Sequence, residues 1–388
     1  MTYGRGHTYD FDTVVDRRGT GCVQWDGAAA RFGAEGLLPF TISDMDFPSP
    51  PQVLDALRER VAHGVFGYTD WRLGDFREAV REWHAKRYGT AVDPERIVYA
   101  PSVLSQLSQL LRMWTEPGDG VVVHTPTYDG FHRAVTGLGR RLRGVPVGDR
   151  EALERELSRP DAKVLVLCSP HNPTGRVWTE GELAETAGLA RAHGVAVVSD
   201  EIHADLVHDG HRHLPWTRFA DGGRWALITS ASKAFNFPAL TGSYGIIGDP
   251  EERAAFVRRL ETGEGLASPA VLALTAHIAA YREGAPWLDA LRGYVAGNLA
   301  LLADRLDAAF PGLGWTPPQA GYLAWVDLRP LGVADEVLQR ELVERERVAV
   351  LPGTVYGAEG FVRVNLGCPR AKAEAGAQAL VRALRRRA

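Results

Sequence analysis

Apolar residues change their spacing along this 388-residue chain, and the change divides it. From Ser49 to Gly64, Val53, Leu54, Leu57 and Val61 recur at helical spacing, which predicts an amphipathic helix capped by Ser49. A second helix is predicted from Asp75 through Ala79, Val80 and Trp83 to Gly89. From about residue 120 short β-branched runs take over: Val121 to Val123, Val164 to Leu167, Val195 to Val198, Leu227 to Thr229 and Ile246 to Ile247. They alternate with helical stretches, the pattern of βαβ units in a largely parallel sheet. One intervening helix is sharply marked, because Thr179 and Glu182 form a capping box and Gly194 ends the stretch. Beyond Pro269 the pattern is helical to residue 309, then offers strands at Tyr322 to Val326 and Phe361 to Val364. The reading is α/β: a large, mostly parallel-sheet domain over 49–280, a smaller α+β domain over 281–388, and an irregular arm over 1–48 that begins the small domain and ends in the acidic turn Asp44, Met45, Asp46.

Composition narrows the classes. Apolar residues make up 45% and charged residues 24%, ordinary for a globular protein able to bury a core. A net charge of −4 provides no basic field for nucleic acid or anionic lipid, so neither is expected as a partner. Three scattered cysteines, Cys22, Cys168 and Cys368, fit reduced thiols and exclude a zinc ribbon. The opening MTYGRGHTYDFD lacks a signal-peptide core and no run approaches the length of a membrane span, so a cytoplasmic location is expected.

Three apolar runs lead into polar residues: Asn172 in SPHNPTG, Asp200 in VVSDEIH and Lys233 in LITSASKAFN. Ligands of open α/β sheets bind beyond the carboxyl ends of strands, so these side chains are expected to meet in one crevice. A lysine amine forms an imine with an aldehyde cofactor, a carboxylate keeps a pyridine nitrogen protonated, and an amide hydrogen-bonds a phenolic oxygen. A phosphate would be cradled by the helix opening in APSVLSQ, with Ser102, Ser230 and Ser232 as hydroxyl candidates. Tyr128 in HTPTYDGF is placed to lay its ring on a cofactor face.

In order, SPHNPTG, SDEIH and SASKAFN resemble the signature blocks of fold type I pyridoxal 5'-phosphate (PLP) enzymes, over nearly the whole chain. FDTVVDRRGTGCVQWD, SDMDFPSP, FGYTD, DEIHADL, YLAWVDLR and RVNLGCPR are similar to the bacterial cystathionine β-lyase branch of the class I/II aminotransferases. The resemblance implies a fold type I transferase architecture with 49–280 as the PLP-binding domain. It also implies Lys233 as the Schiff-base lysine, Asp200 at the pyridine nitrogen, Asn172 at the phenolic oxygen, Tyr128 on the ring, His203 beside it and Arg363 on the substrate carboxylate, with Asn172 also among the substrate-binding residues. Tyr68 matches a tyrosine that reaches the neighbouring subunit's cofactor phosphate, which implies a homodimer with shared active sites. Ser102, Val103 and Leu104 stand where the branch usually has a glycine and two valines, a change that phosphate binding through backbone amides survives. Pro238, Ala239 and Leu240, and Ala320 with Gly321, also depart from the usual pattern and bear on substrate identity.

Plainer roles compete with these. A lone loop lysine is ordinarily solvated, and Asp200 and Asn172 suit caps or turns. Tyr68 and Tyr128 suit a core rim. Arg363 and Asn365 share one side of a strand that would otherwise face solvent. His203, His208, His211 and His213 invite a metal but lack helical ligand spacing, so no metal is expected. Cys168 reads as an inert core thiol. Neither G-x-G-x-x-G nor G-x-S-x-G occurs in the required setting. The implied activity is carbon–sulfur β-elimination, with transamination as the alternative and a regulatory binding role as a third.

Overall fold

A computed structural model describes residues 2–3, 7–220 and 222–387; Met1 and residues 4–6 of the predicted arm, Asp221 and Ala388 lie outside it. Seven strands form the main sheet: β1 (Ile97–Ala100), β2 (Gly120–Thr125), β3 (Arg141–Pro146), β4 (Ala162–Cys168), β5 (Ala196–Asp200), β6 (Trp225–Thr229) and β7 (Ser243–Ile247). Their order is β1-β7-β6-β5-β4-β2-β3, and only β7 runs against the others. The central strands are continuously apolar because both faces are covered. Val121, Val123, Val164 and Val166 enter one core, whereas Val122, Leu165, Leu167 and Val197 enter another on the opposite face.

The helices are α1 (Pro51–His63), α2 (Phe76–Tyr88), α3 (Val103–Trp114), α4 (Asp129–Gly137), α5 (Arg150–Leu157), α6 (Glu180–Ala192), α7 (Pro250–Arg258), α8 (Val271–Glu283), α9 (Ala285–Ala309) and α10 (Arg370–Arg385), with shorter turns between. The capping box is present at α6, where Thr179 and Glu182 bond reciprocally, and Gly194 adopts φ 65° just beyond that helix. At α1 the expected cap is corrected. Pro50 precedes a helix begun by Pro51, whose ring presets the helical φ, and the Ser49 hydroxyl instead donates to the Asn236 carbonyl at 2.9 Å. Val61, expected on the buried face, is exposed.

Three more strands, β8 (Leu323–Asp327), β9 (Leu351–Pro352) and β10 (Phe361–Asn365), form an antiparallel sheet in the order β8-β10-β9. Leu38–Pro39 pairs in parallel with Val348–Ala349, tying the first residues to the last third of the chain. Arg363 and Asn365 do share one side of β10, but that side is buried, so the solvent-facing alternative is overturned. Among the described residues no helix is long and apolar enough to cross a membrane.

Candidate active site

Strands β4, β5 and β6 end side by side, with Cys168 in register with Asp200 and Asp200 with Ile228. The loops that leave them, together with the start of α3, enclose a cavity of about 200 Å³. Lys233, Asp200, Asn172, His203, Tyr128, Ser230, Ser232, Val103 and Leu104 all line it, so nearly every residue expected at the site is brought together.

One wall suits an anion. Ser102 spends its hydroxyl on its own helix, accepting from the Ser105 amide at 3.1 Å, and its carbonyl accepts from the Gln106 amide. The first-turn amides of Val103 and Leu104 are left without intrahelical partners, beside the positive end of the helix dipole. Ser102 is therefore a cap, and the helix amides and Ser232 are the groups left on this wall of the cavity. Ser230 lies behind Ser232: its hydroxyl contacts the Gly242 carbonyl at 2.8 Å and His277 Nε2 at 3.1 Å, and it accepts from the Ser232 amide.

The opposite wall carries the titratable groups. Asp200 is buried and accepts one side-chain hydrogen bond, from the Ile202 amide at 3.0 Å, and burial pushes its carboxyl up to about 7. Lys233 Nζ donates to the Ser43 carbonyl at 2.7 Å; burial draws its amine down to about 8, against the pull of Asp44 and Asp200. His203 is buried, and desolvation pushes it down to about 3, so it is neutral at ordinary pH. The Cys168 thiol is driven up by burial and donates to the Pro170 carbonyl, an inert wall.

Arg363 stands behind Asn172. Its Nη1 donates to Asn172 Oδ1 at 3.2 Å and its Nη2 to the Thr41 carbonyl at 2.8 Å, while its carbon lies 4.7 Å from the Tyr356 ring centre. The guanidinium is 3% exposed, yet among the described residues it has no carboxylate partner and Nε has no acceptor. A buried cation left this way favours an anion supplied from outside.

Beside Arg363, Tyr68 is the other exception. It is fully exposed between α1 and α2 and does not line its own chain's cavity. The remaining histidines diverge: His208 bonds the Gly321 carbonyl and His213 bonds Glu201. Among the described residues no three metal-binding side chains converge. Sequence reasoning missed Ser43, Thr241 and Gly242. Ser43 sits in the quoted block SDMDFPSP, but it bonds Lys233 through its main-chain carbonyl, which no side-chain pattern reveals.

The donor set fits a phosphorylated pyridine aldehyde: unpaired helix amides for the phosphate, a buried carboxylate, an amide and an amine. The class I and II aminotransferase family matches residues 35–380, and this chain belongs to that family. Its architecture is that of the fold type I PLP-dependent transferases. Protein MalY of Escherichia coli is 52% identical over 97% of this chain and 99% of its own length. Cystathionine beta-lyase PatB of Bacillus subtilis is 39% identical over 97% of this chain and 100% of its own. The PLP-bound C-S lyase from Staphylococcus hominis superposes with a TM-score of 0.91 at 30% identity, covering 97% of this chain and 98% of that one.

Proposed function

We propose that this chain is a PLP-dependent carbon–sulfur β-lyase that converts a cysteine S-conjugate of the cystathionine kind, with water, to a thiol, pyruvate and ammonia. The observation that carries the reading is the unpaired, buried Arg363 joined through Asn172 to the cavity of Lys233 and Asp200. The names of PatB and of the Staphylococcus hominis enzyme support the reaction type.

When bound, PLP supplies an aldehyde that captures the substrate amine and a ring that draws electrons from Cα. The helix amides of Val103 and Leu104, with Ser232 and Ser230 behind it, would hold the phosphate. Asp200 would hold the pyridine nitrogen, Asn172 the phenolic oxygen, and Tyr128 and His203 the ring faces. Arg363 grips the α-carboxylate and so turns the Cα–H bond toward Lys233. Lys233 Nζ takes the Cα proton and delivers it to the sulfur as the Cβ–S bond breaks. Tyr68, exposed on its own chain, completes the phosphate site of a second copy in a homodimer. We place the enzyme in the cytoplasm, with its domains divided at 1–48, 49–280 and 281–388.

The test is product analysis against a panel of cysteine conjugates. Thiol and pyruvate are expected in equal amounts with no 2-oxo acid added. Amino transfer to 2-oxo acids without thiol release would replace the lyase with a transaminase.

A further inference from the structure

The main-chain carbonyls of residues 41–45, and that of Phe47, each accept from a side chain that is distant in sequence. Arg363 takes Thr41; Asn365 takes Ile42 and Asp44; Lys233 takes Ser43 at 2.7 Å and Tyr322 shares it at 3.0 Å. Asn236 takes Met45 at 2.9 Å and Phe47 at 2.6 Å. Asn236 Oδ1 also accepts from the Met45 amide at 2.9 Å. Both hydrogens of its Nδ2 and one lone pair of its Oδ1 are therefore committed to this one segment. Asn236 follows Lys233 by three residues and adopts φ 56°, a left-handed conformation found at one other non-glycine among the described residues. The contacts close a ring: Lys233 to Ser43, along the chain to Met45, across to Asn236, and back to Lys233.

We propose that Asn236 is a positioning residue for Lys233: its amide clamps residues 45–47 so that the Ser43 carbonyl stays against the Lys233 amine, holding that amine in one place and out of water. The inference rests on Lys233 being the working amine. Its alternative is that Asn236 only stabilises a turn. Asn tolerates left-handed backbone better than most residues and Gly tolerates it freely, so Asn236→Gly keeps the turn while deleting the clamp. Its effects then belong to the clamp.

The test uses the full-length, cofactor-free chain, labelled with trace acetic anhydride across a pH series and read by peptide mass spectrometry. In the unaltered chain Lys233 is expected to label with a midpoint near 8, the value its burial imposes. In Asn236→Gly the amine hydrates and the midpoint moves up by about one unit or more toward the ordinary lysine value. Exposed Lys163 should not move. The Met45 amide should exchange faster, and in the PLP-loaded enzyme kcat should fall about 10- to 100-fold as the amine loses its fixed position. Asn236→Ser, neutral and too short to span Met45 and Phe47, is the second variant should the glycine chain fold poorly. An unmoved Lys233 midpoint in either folded variant, or an ordinary lysine midpoint in the unaltered chain, overturns the proposal. The catalytic reading fails separately: a Lys233→Ala chain that still turned over substrate would remove the lysine's role without touching the labelling result.

Discussion

Asp200 and Asp205 lie five residues apart, both are buried, and burial pushes both carboxyls up, yet their surroundings differ in kind. Asp205 accepts from Trp83 Nε1 at 2.9 Å and from the Tyr88 hydroxyl, so its partners come from α2 of the same chain. The Asp200 side chain has one hydrogen bond, inside its own turn, and otherwise faces a cavity. The first is a closed account and the second an open one. Burial and a shifted pKa are common to both, so neither marks a functional carboxylate. What separates them is the missing partner, and among the described residues Arg363 likewise lacks a partner of opposite charge.

The strongest attack on this contrast is Asp200→Ala. Loss of a charge fixed in a dry site is expected to lower kcat about 10²- to 10³-fold while the chain stays folded. Steady-state thiol release beside circular dichroism decides it, and a variant with wild-type kcat would put Asp200 in the same class as Asp205. Next comes Arg363→Lys, which keeps the charge but loses the planar fork. Catalytic efficiency on cysteine conjugates should fall about 10- to 100-fold, mainly through KM. The matching structural lesion is Asp205→Ala. It strands the Trp83 and Tyr88 donors and should cost about 1–3 kcal/mol, seen as a lower thermal midpoint with unchanged kcat per folded molecule.

A pH slope in the cofactor-free chain completes the contrast. Folding raises the Asp200 carboxyl from its ordinary 3.8 to about 7, so between those values the folded state holds a proton that the unfolded state has released. That contribution favours folding at low pH and is lost as pH rises to about 7. Asp200→Asn removes the slope, so at pH 7 the variant should be the more stable of the two. Thermal melts at pH 4 and pH 7 that shift in parallel for both chains would contradict this.

The strand ends at Asn172, Asp200 and Lys233 were legible in the sequence because central strands covered on both faces are uninterrupted in apolar residues, so a polar residue after one stands out. Edge and short strands were not. In β3, Arg141 and Arg143 interrupt the apolar pattern, as suits a strand with one open side. Strand β1 has four residues and lies among helices in sequence. Arg363 was legible as a residue, but its burial was not, because the alternation of β10 leaves open which face is inside. Tyr68 shows the opposite limit: its predicted role needs a second copy, and a single chain displays only its exposure.

The carbonyl ladder over residues 41–47 also bears on biosynthesis. Thr41 waits for Arg363, 322 residues downstream, and Ile42 for Asn365, 323 residues downstream. A ribosome that has finished the whole seven-stranded sheet has delivered Lys233 and Asn236, which pin Ser43, Met45 and Phe47, but not the groups that pin Thr41, Ile42 and Asp44. Contacts of such long sequence separation close late, after the local helices and strand pairs have formed. The nascent chain therefore holds this early segment by only part of its contacts until the last strand has been made.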